Sequence, residues 1–229
     1  MLAPILNAFT FMDFLALVAL IVTWLGSSMV IENPPKARPS VTRLMNRYRS
    51  DWMMEMITRQ PRIFDAAILA SLRQGTTFLA SGTMLAVGGV LALASNAQRL
   101  DGIVMDIGVE GHPELFWQIK LAVVALLLTY AVFKFVWSDR LFGYCAVVMA
   151  SVPNDVTDAR ALARASQAAE INTRAALNFN RGLRAVYFAF AALGWLVGPW
   201  GLLLTVTLTT WTVLSREFAS TSRDVLLET

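Results

Sequence analysis

The sequence predicts an all-α, polytopic transmembrane helix bundle, and three observations carry that prediction. Four stretches, about 9–30, 75–95, 116–138 and 183–214, are almost continuously apolar. Each meets or exceeds the roughly 20 residues a helix needs to cross about 30 Å of hydrocarbon. The chain is 56% hydrophobic and only 15% charged, with a mean hydropathy of +0.56, more apolar than a soluble domain of 229 residues usually tolerates. Basic residues also alternate between connections. Residues 31–73 carry eight Lys and Arg and residues 139–184 carry six, whereas 96–115 carries Arg99 alone against Asp101, Asp106, Glu110 and Glu114. The positive-inside rule then puts both basic segments in the cytoplasm, and the acidic loop and the N-terminus outside.

The first span reads as a retained helix. It lacks a basic leader and a small-residue cleavage site, and its apolar run is too long for a signal peptide. It carries Asp13, placed on its third turn. Asn33-Pro34-Pro35 then stops the helix, because proline lacks an N–H and disfavours helix in the residue before it.

Pro39-Ser40 resembles a cap for a cytosolic helical segment over 40–73. Val41, Leu44, Met45, Tyr48, Trp52 and Met56 recur there at three- and four-residue steps between arginines. That amphipathic pattern fits a helix lying at the membrane interface or packing on another cytosolic helix. A second helix from near Arg62 leads through Asp65 into the second span. There Gly82 with Ala86, and Gly88 with Ala92, make small-x-x-x-small steps, flanked by Gly89. Such steps let helices pack closely, within the bundle by default, or else at a subunit contact or pore lining.

The third span holds Lys120 one turn from its outer end and Lys134 near its cytosolic end. A charge near a helix centre costs at least ~2.5 kcal/mol, so it usually faces the bundle and does something. Asp13 and Lys120 share the outer leaflet and could pair. Otherwise Lys120 snorkels and Asp13 bonds to Thr or backbone groups. Lys134 needs only to snorkel. Trp24, Trp117, Trp137 and Tyr187 read as interface anchors.

Pro153-Asn154-Asp155 marks a turn before an Ala-, Arg- and Gln-rich cytosolic helix over 153–181. Its apolar positions are mostly alanine, which suits close packing on the 40–60 helix. The last apolar stretch, 183–214, would make about 48 Å of helix, with Gly198-Pro199-Trp200-Gly201 in its middle. The expectation is one long, kinked span with the C-terminus outside; a split hairpin is the alternative, opposed by the shortness of its halves.

Several stretches resemble one family: a four-span integral-membrane family of bacteria and plants, catalogued only as a domain of unknown function. The likeness is carried by Asp13 with Trp24, Trp52-Met53, Arg62-Ile63-Phe64-Asp65-Ala66, and Gln74 through Ser81 with Gly88-Gly89. It continues in Phe133-Lys134-Phe135-Val136-Trp137-Ser138, Asn180-Arg181-Gly182-Leu183-Arg184 with Trp195, and Arg216-Glu217-Phe218. The resemblance covers most of 12–220 and implies a four-span bundle in a membrane, taken as a bacterial inner membrane, without an activity to carry over. These motifs gather at the cytosolic span ends. If those ends cluster, Asp65, Lys134, Arg140, Asn180 and Arg184 form a charge belt, either an ion-pair lattice or an anion-binding vestibule.

No catalytic set is present. The one cysteine, Cys145, and the one histidine, His112, exclude an internal disulfide, a zinc-ligand cluster and bis-histidine haem. No paired carboxylates or serine elbow recommend an enzyme. The expectation is a non-enzymatic protein without cofactor or metal, and with no nucleic-acid partner, surrounded by membrane lipids. It acts as a homo-oligomeric channel or transport module, or as an accessory or scaffold subunit of a larger membrane complex.

Overall fold

A computed structural model describes residues 8–97 and 113–228. The acidic loop and His112 therefore lie almost wholly outside the described residues. Among these residues the chain is helical, with no strand. It forms α1 (Phe11–Glu32), α2 (Val41–Glu55), a 3-10 turn (Met56–Thr58), α3 (Ile63–Ala94), α4 (Glu114–Ala150), α5 (Ala159–Leu193), a second 3-10 turn (Gly194–Val197), α6 (Pro199–Phe218) and α7 (Thr221–Leu227). Three of them, α1, α3 and α4, are long and apolar enough to cross a membrane.

The backbone of the fold is the antiparallel α4–α5 pair. The two helices run alongside each other from Lys120 Nζ, which donates to Trp195 O, to Arg164, which donates to Ser151 O. Between these ends Ser138 Oγ donates to Ala175 O at 2.8 Å, and Gly182 sits against Phe135. A Cβ on Gly182 would stand 2.9 Å from that ring, so only glycine allows this approach. In the half of the fold that holds α2, Ala161, Ala165, Ala168, Ala169 and Ala175 bury against Phe142, Cys145 and Met149, and Met53 and Met56 of α2 and its following turn join them. The alanine-rich helix thus packs on the 40–60 helix, through a face that buries Met53 and Met56, whereas Met45 and Tyr48 of the expected stripe stay exposed.

In the apolar half, Ala16 and Leu20 of α1, Val124 and Leu128 of α4, Phe188 and Trp195, and Leu202 and Val206 of α6 form the core. The other face of α1, with Phe11, Val18, Val22 and Met29, stays exposed, as a lipid-facing surface should.

The last apolar stretch does not form one kinked helix. The chain reverses at Gly198, whose φ of 126° lies in the left-handed region that favours glycine, and Pro199 then opens α6 at its first turn. Antiparallel return follows. Thr205 Oγ1 donates to Ala191 O at 2.7 Å, and a Cβ on Gly201 would stand 2.5 Å from Gly194 O. The far end of α6 and the following α7 reach the start of α2: Glu217 accepts from Thr42 Oγ1 at 2.8 Å, and Arg223 donates to Pro39 O at 3.0 Å. The expectation of a single span is corrected, because glycines at 194, 198 and 201 let two helices turn back at contact distance.

The small-residue face of α3 is also corrected. Gly82, Gly88 and Gly89 are exposed, with nothing within 4 Å of a Cβ built on Gly82, Gly88 or Gly89. Helix α3 meets its neighbours, chiefly α4, through the opposite stripe of Leu69, Thr76, Ala80 and Thr83, with Ala86 half-buried at its edge.

Candidate functional site

Three polar constellations stand on this scaffold. The first is built around Trp195, in the 3-10 turn that follows α5. Asp13 does not lie on the third turn of its helix: α1 begins at Phe11, and Asp13 closes a capping box with Thr10. Thr10 Oγ1 donates to Asp13 Oδ2 at 2.7 Å and Thr10 N donates at 3.0 Å. Trp195 Nε1 donates to the other oxygen, Oδ1, at 2.7 Å. Lys120 Nζ donates to Trp195 O at 2.8 Å and lies over the rings of Phe116, Trp117 and Trp195, at 4.0, 5.2 and 5.6 Å from their centroids. Both charges are almost fully buried, at 3% and 2% exposure.

Asp13 and Lys120 therefore share a site but make no direct ion pair within 4 Å; Trp195 stands between them. Lys120 does not snorkel, because cation–π contacts and a carbonyl replace its water. Trp117 is wholly buried in this cage and is not an interface anchor.

The second constellation joins the end of α1, the start of α2, the interior of α5 and the end of α6. Arg184 and Arg181, one turn apart on α5, both reach Glu32, the last residue of α1, each at 2.5 Å. Arg184 also donates to Ser28 Oγ at 3.0 Å. Beside it Asn180 Nδ2 donates to Thr42 Oγ1 at 3.4 Å, while Thr42 N and Oγ1 donate to Glu217 at 2.9 and 2.8 Å. Lys134 lies near this group, with Nζ 5.2 Å from the centre of the Tyr130 ring.

The third is Asp65, fully buried, which accepts from Arg59 Nη1 at 2.6 Å and Trp52 Nε1 at 2.7 Å. Arg140 stays at the surface and donates to Tyr144 Oη at 2.6 Å.

The expected single belt is thus divided. Asn180, Arg184 and Lys134 gather around Glu32 and Glu217, Asp65 belongs to a separate group with Arg59 and Trp52, and Arg140 joins neither. Sequence reasoning missed Glu32, Glu217, Thr42, Arg59 and the role of Trp195. A signal for Glu32 existed: Arg181 and Arg184 share a helix face at a span end, and buried cations need an anion beside them.

Outside the spans, burial among apolar side chains pushes the Arg49 guanidinium down, and it donates to Asn172 Oδ1 at 2.7 Å. Arg160 holds Asp158, the cap of α5, down to about 2. Among the described residues no group of three or more His, Cys, Asp or Glu is placed to hold a metal ion. Chemically these constellations fasten helices to one another. They hold paired or caged charges.

The chain belongs to the DUF599 family, described as proteins of unknown function, which matches over residues 15–222. No curated protein and no solved structure matches it.

Proposed function

We propose that this DUF599 protein is a homo-oligomeric channel or transport module in which α3 lines the axis. The open face of α3 carries the reading. At about 100° per residue, Gly75, Gly82 and Gly89 fall on one strip some 40° wide. Gln74, Thr77, Ser81, Gly88 and Ser95 fall on another strip on the same side of the helix, about 60° wide. All eight are exposed, and Phe78 and Leu85, at 76% and 78% exposure, stand between the strips. In a ring of copies the glycine strip would admit the neighbour's Phe78 and Leu85, and the small polar strip would face the axis. The buried charges then serve to hold each protomer rigid, and no catalysis is assigned.

In this reading the membrane is the bacterial inner membrane, with the N-terminus outside and the basic segments in the cytoplasm. The chain crosses by α1, α3, α4, the C-terminal part of α5 and α6, which returns the C-terminus to the cytoplasm. This replaces four spans by five, with lipids and further copies of the chain as partners.

The mass of the protein purified alone in mild detergent tests this. One discrete oligomer is expected, and Gly82→Leu should reduce it to monomers while helicity is kept. A wild-type monomer would refute the ring. The same face would then belong to another subunit, as in the accessory reading.

A further inference from the structure

We propose that the cytosolic cleft between α3, α4 and the Met56–Arg62 connection binds a phosphate-bearing amphiphile. The cleft has a volume of about 820 Å³, within the range of small-molecule sites. Its polar wall is made by Arg59, Arg62 and Arg73, and its apolar floor includes Leu69, Ala70 and Met149. This division matches a ligand with one anionic end and one apolar end.

The three guanidiniums are incompletely matched. Arg59 pairs with Asp65, and Arg73 pairs with Asp139 at 3.1 Å. Arg62 has only backbone partners: it donates to Val152 O at 2.7 Å, Pro153 O at 2.9 Å and Ile57 O at 3.3 Å, and its buried Nε lacks a partner. Three cations therefore face two carboxylates. Arg59 and Arg73, at 40% and 46% side-chain exposure, keep donors accessible. Guanidinium forks suit phosphate oxygens, to which they offer paired donors. Arg73 stands two residues before the apolar run of α3, so the cleft lies where either a lipid phosphate or a water-borne organophosphate would reach it.

Octyl phosphate titrated into the full chain in phosphatidylcholine nanodiscs, with empty nanodiscs as the blank, tests the proposal. The expected result is one saturable site per chain, at least tenfold tighter than for inorganic phosphate. Arg73→Gln, at an exposed position, and Ala70→Phe, which fills the floor and leaves every charge, should each weaken binding at least tenfold. Adding phosphatidic acid to the nanodiscs separates the sources. Competition assigns the site to membrane lipid, and unchanged affinity assigns it to a water-borne organophosphate. Absence of saturable binding overturns the proposal, as does either variant binding like the folded wild type.

Discussion

Neutralising Glu32 with Glu32→Gln should destabilise the protein more than any other single charge removal in the constellation around it. Glu32 has 12% side-chain exposure and holds Arg184, at 5%, and Arg181, at 38%. Its carboxylate also ends α1, where the helix dipole disfavours a negative charge. The two arginines offset that penalty and depend on the same carboxylate. Breaking a buried pair by removing one partner costs about 3–5 kcal/mol, because an uncompensated charge stays behind. Arg184 would be that charge, with Glu217 as its other carboxylate. Arg181→Gln removes a partly exposed partner and should cost about 0–1 kcal/mol. Adding Arg184→Met to Glu32→Gln should recover part of the loss, since an apolar pair no longer buries an unmatched charge. Equilibrium unfolding in mixed micelles, followed by circular dichroism, measures all four proteins. Equal costs for Glu32→Gln and Arg181→Gln, or a double variant as costly as the sum of its singles, would refute the reasoning.

Trp195→Phe should cost about 1.5–3 kcal/mol, the scale of a hydrogen bond to a charged group, and should abolish most of the further effect of Asp13→Asn. The cycle between Asp13 and Lys120 should show weaker coupling than that between Asp13 and Trp195, and the reverse order would place a direct ion pair there. Single cysteines at Ser50 and Ser222, in a Cys145→Ala background, should be labelled by an impermeant reagent from the same side of the membrane. Labelling from opposite sides would remove the α5–α6 hairpin. Acid should loosen the start of α5. The cap at Asp158 has its pKa lowered to about 2 from an ordinary 3.8, so its contribution is complete above the ordinary value and is lost as pH falls towards 2. Protection factors of the amides in the first turn of α5, exchange rates divided out for their intrinsic pH dependence, should fall over that window and should stay constant there in Asp158→Ala.

The apolar runs located α1 and the membrane parts of α3 and α4 because lipid exposure demands long apolar stretches on any helix that meets it. The same rule obscured the hairpin. Counted from Leu183, each half is only about 15 residues long, too short to cross comfortably. Yet α5 is already helical from Ala159, and its Arg181 and Arg184 are half-buried and buried beside Glu32 of α1. Charged residues that look solvent-exposed in sequence thus stand within the bundle, because the partner that tolerates them comes from another helix.

Asp13 shows both sides of this limit. Its place in the first turn was legible, since Thr10-x-x-Asp13 just before an apolar run is a helix-start signal. Its second partner was not. Trp195 lies 182 residues away and reaches Asp13 from the 3-10 turn that follows α5. One residue then serves two charges, the indole N–H on Asp13 and the backbone carbonyl on Lys120. Opposite charges in one leaflet suggested direct attraction. A direct pair would have left the indole N–H buried beside them without an acceptor, at a cost of about 1–3 kcal/mol. The bridged arrangement satisfies all three groups, and it ties the first helix and the fourth to the turn between the fifth and the sixth.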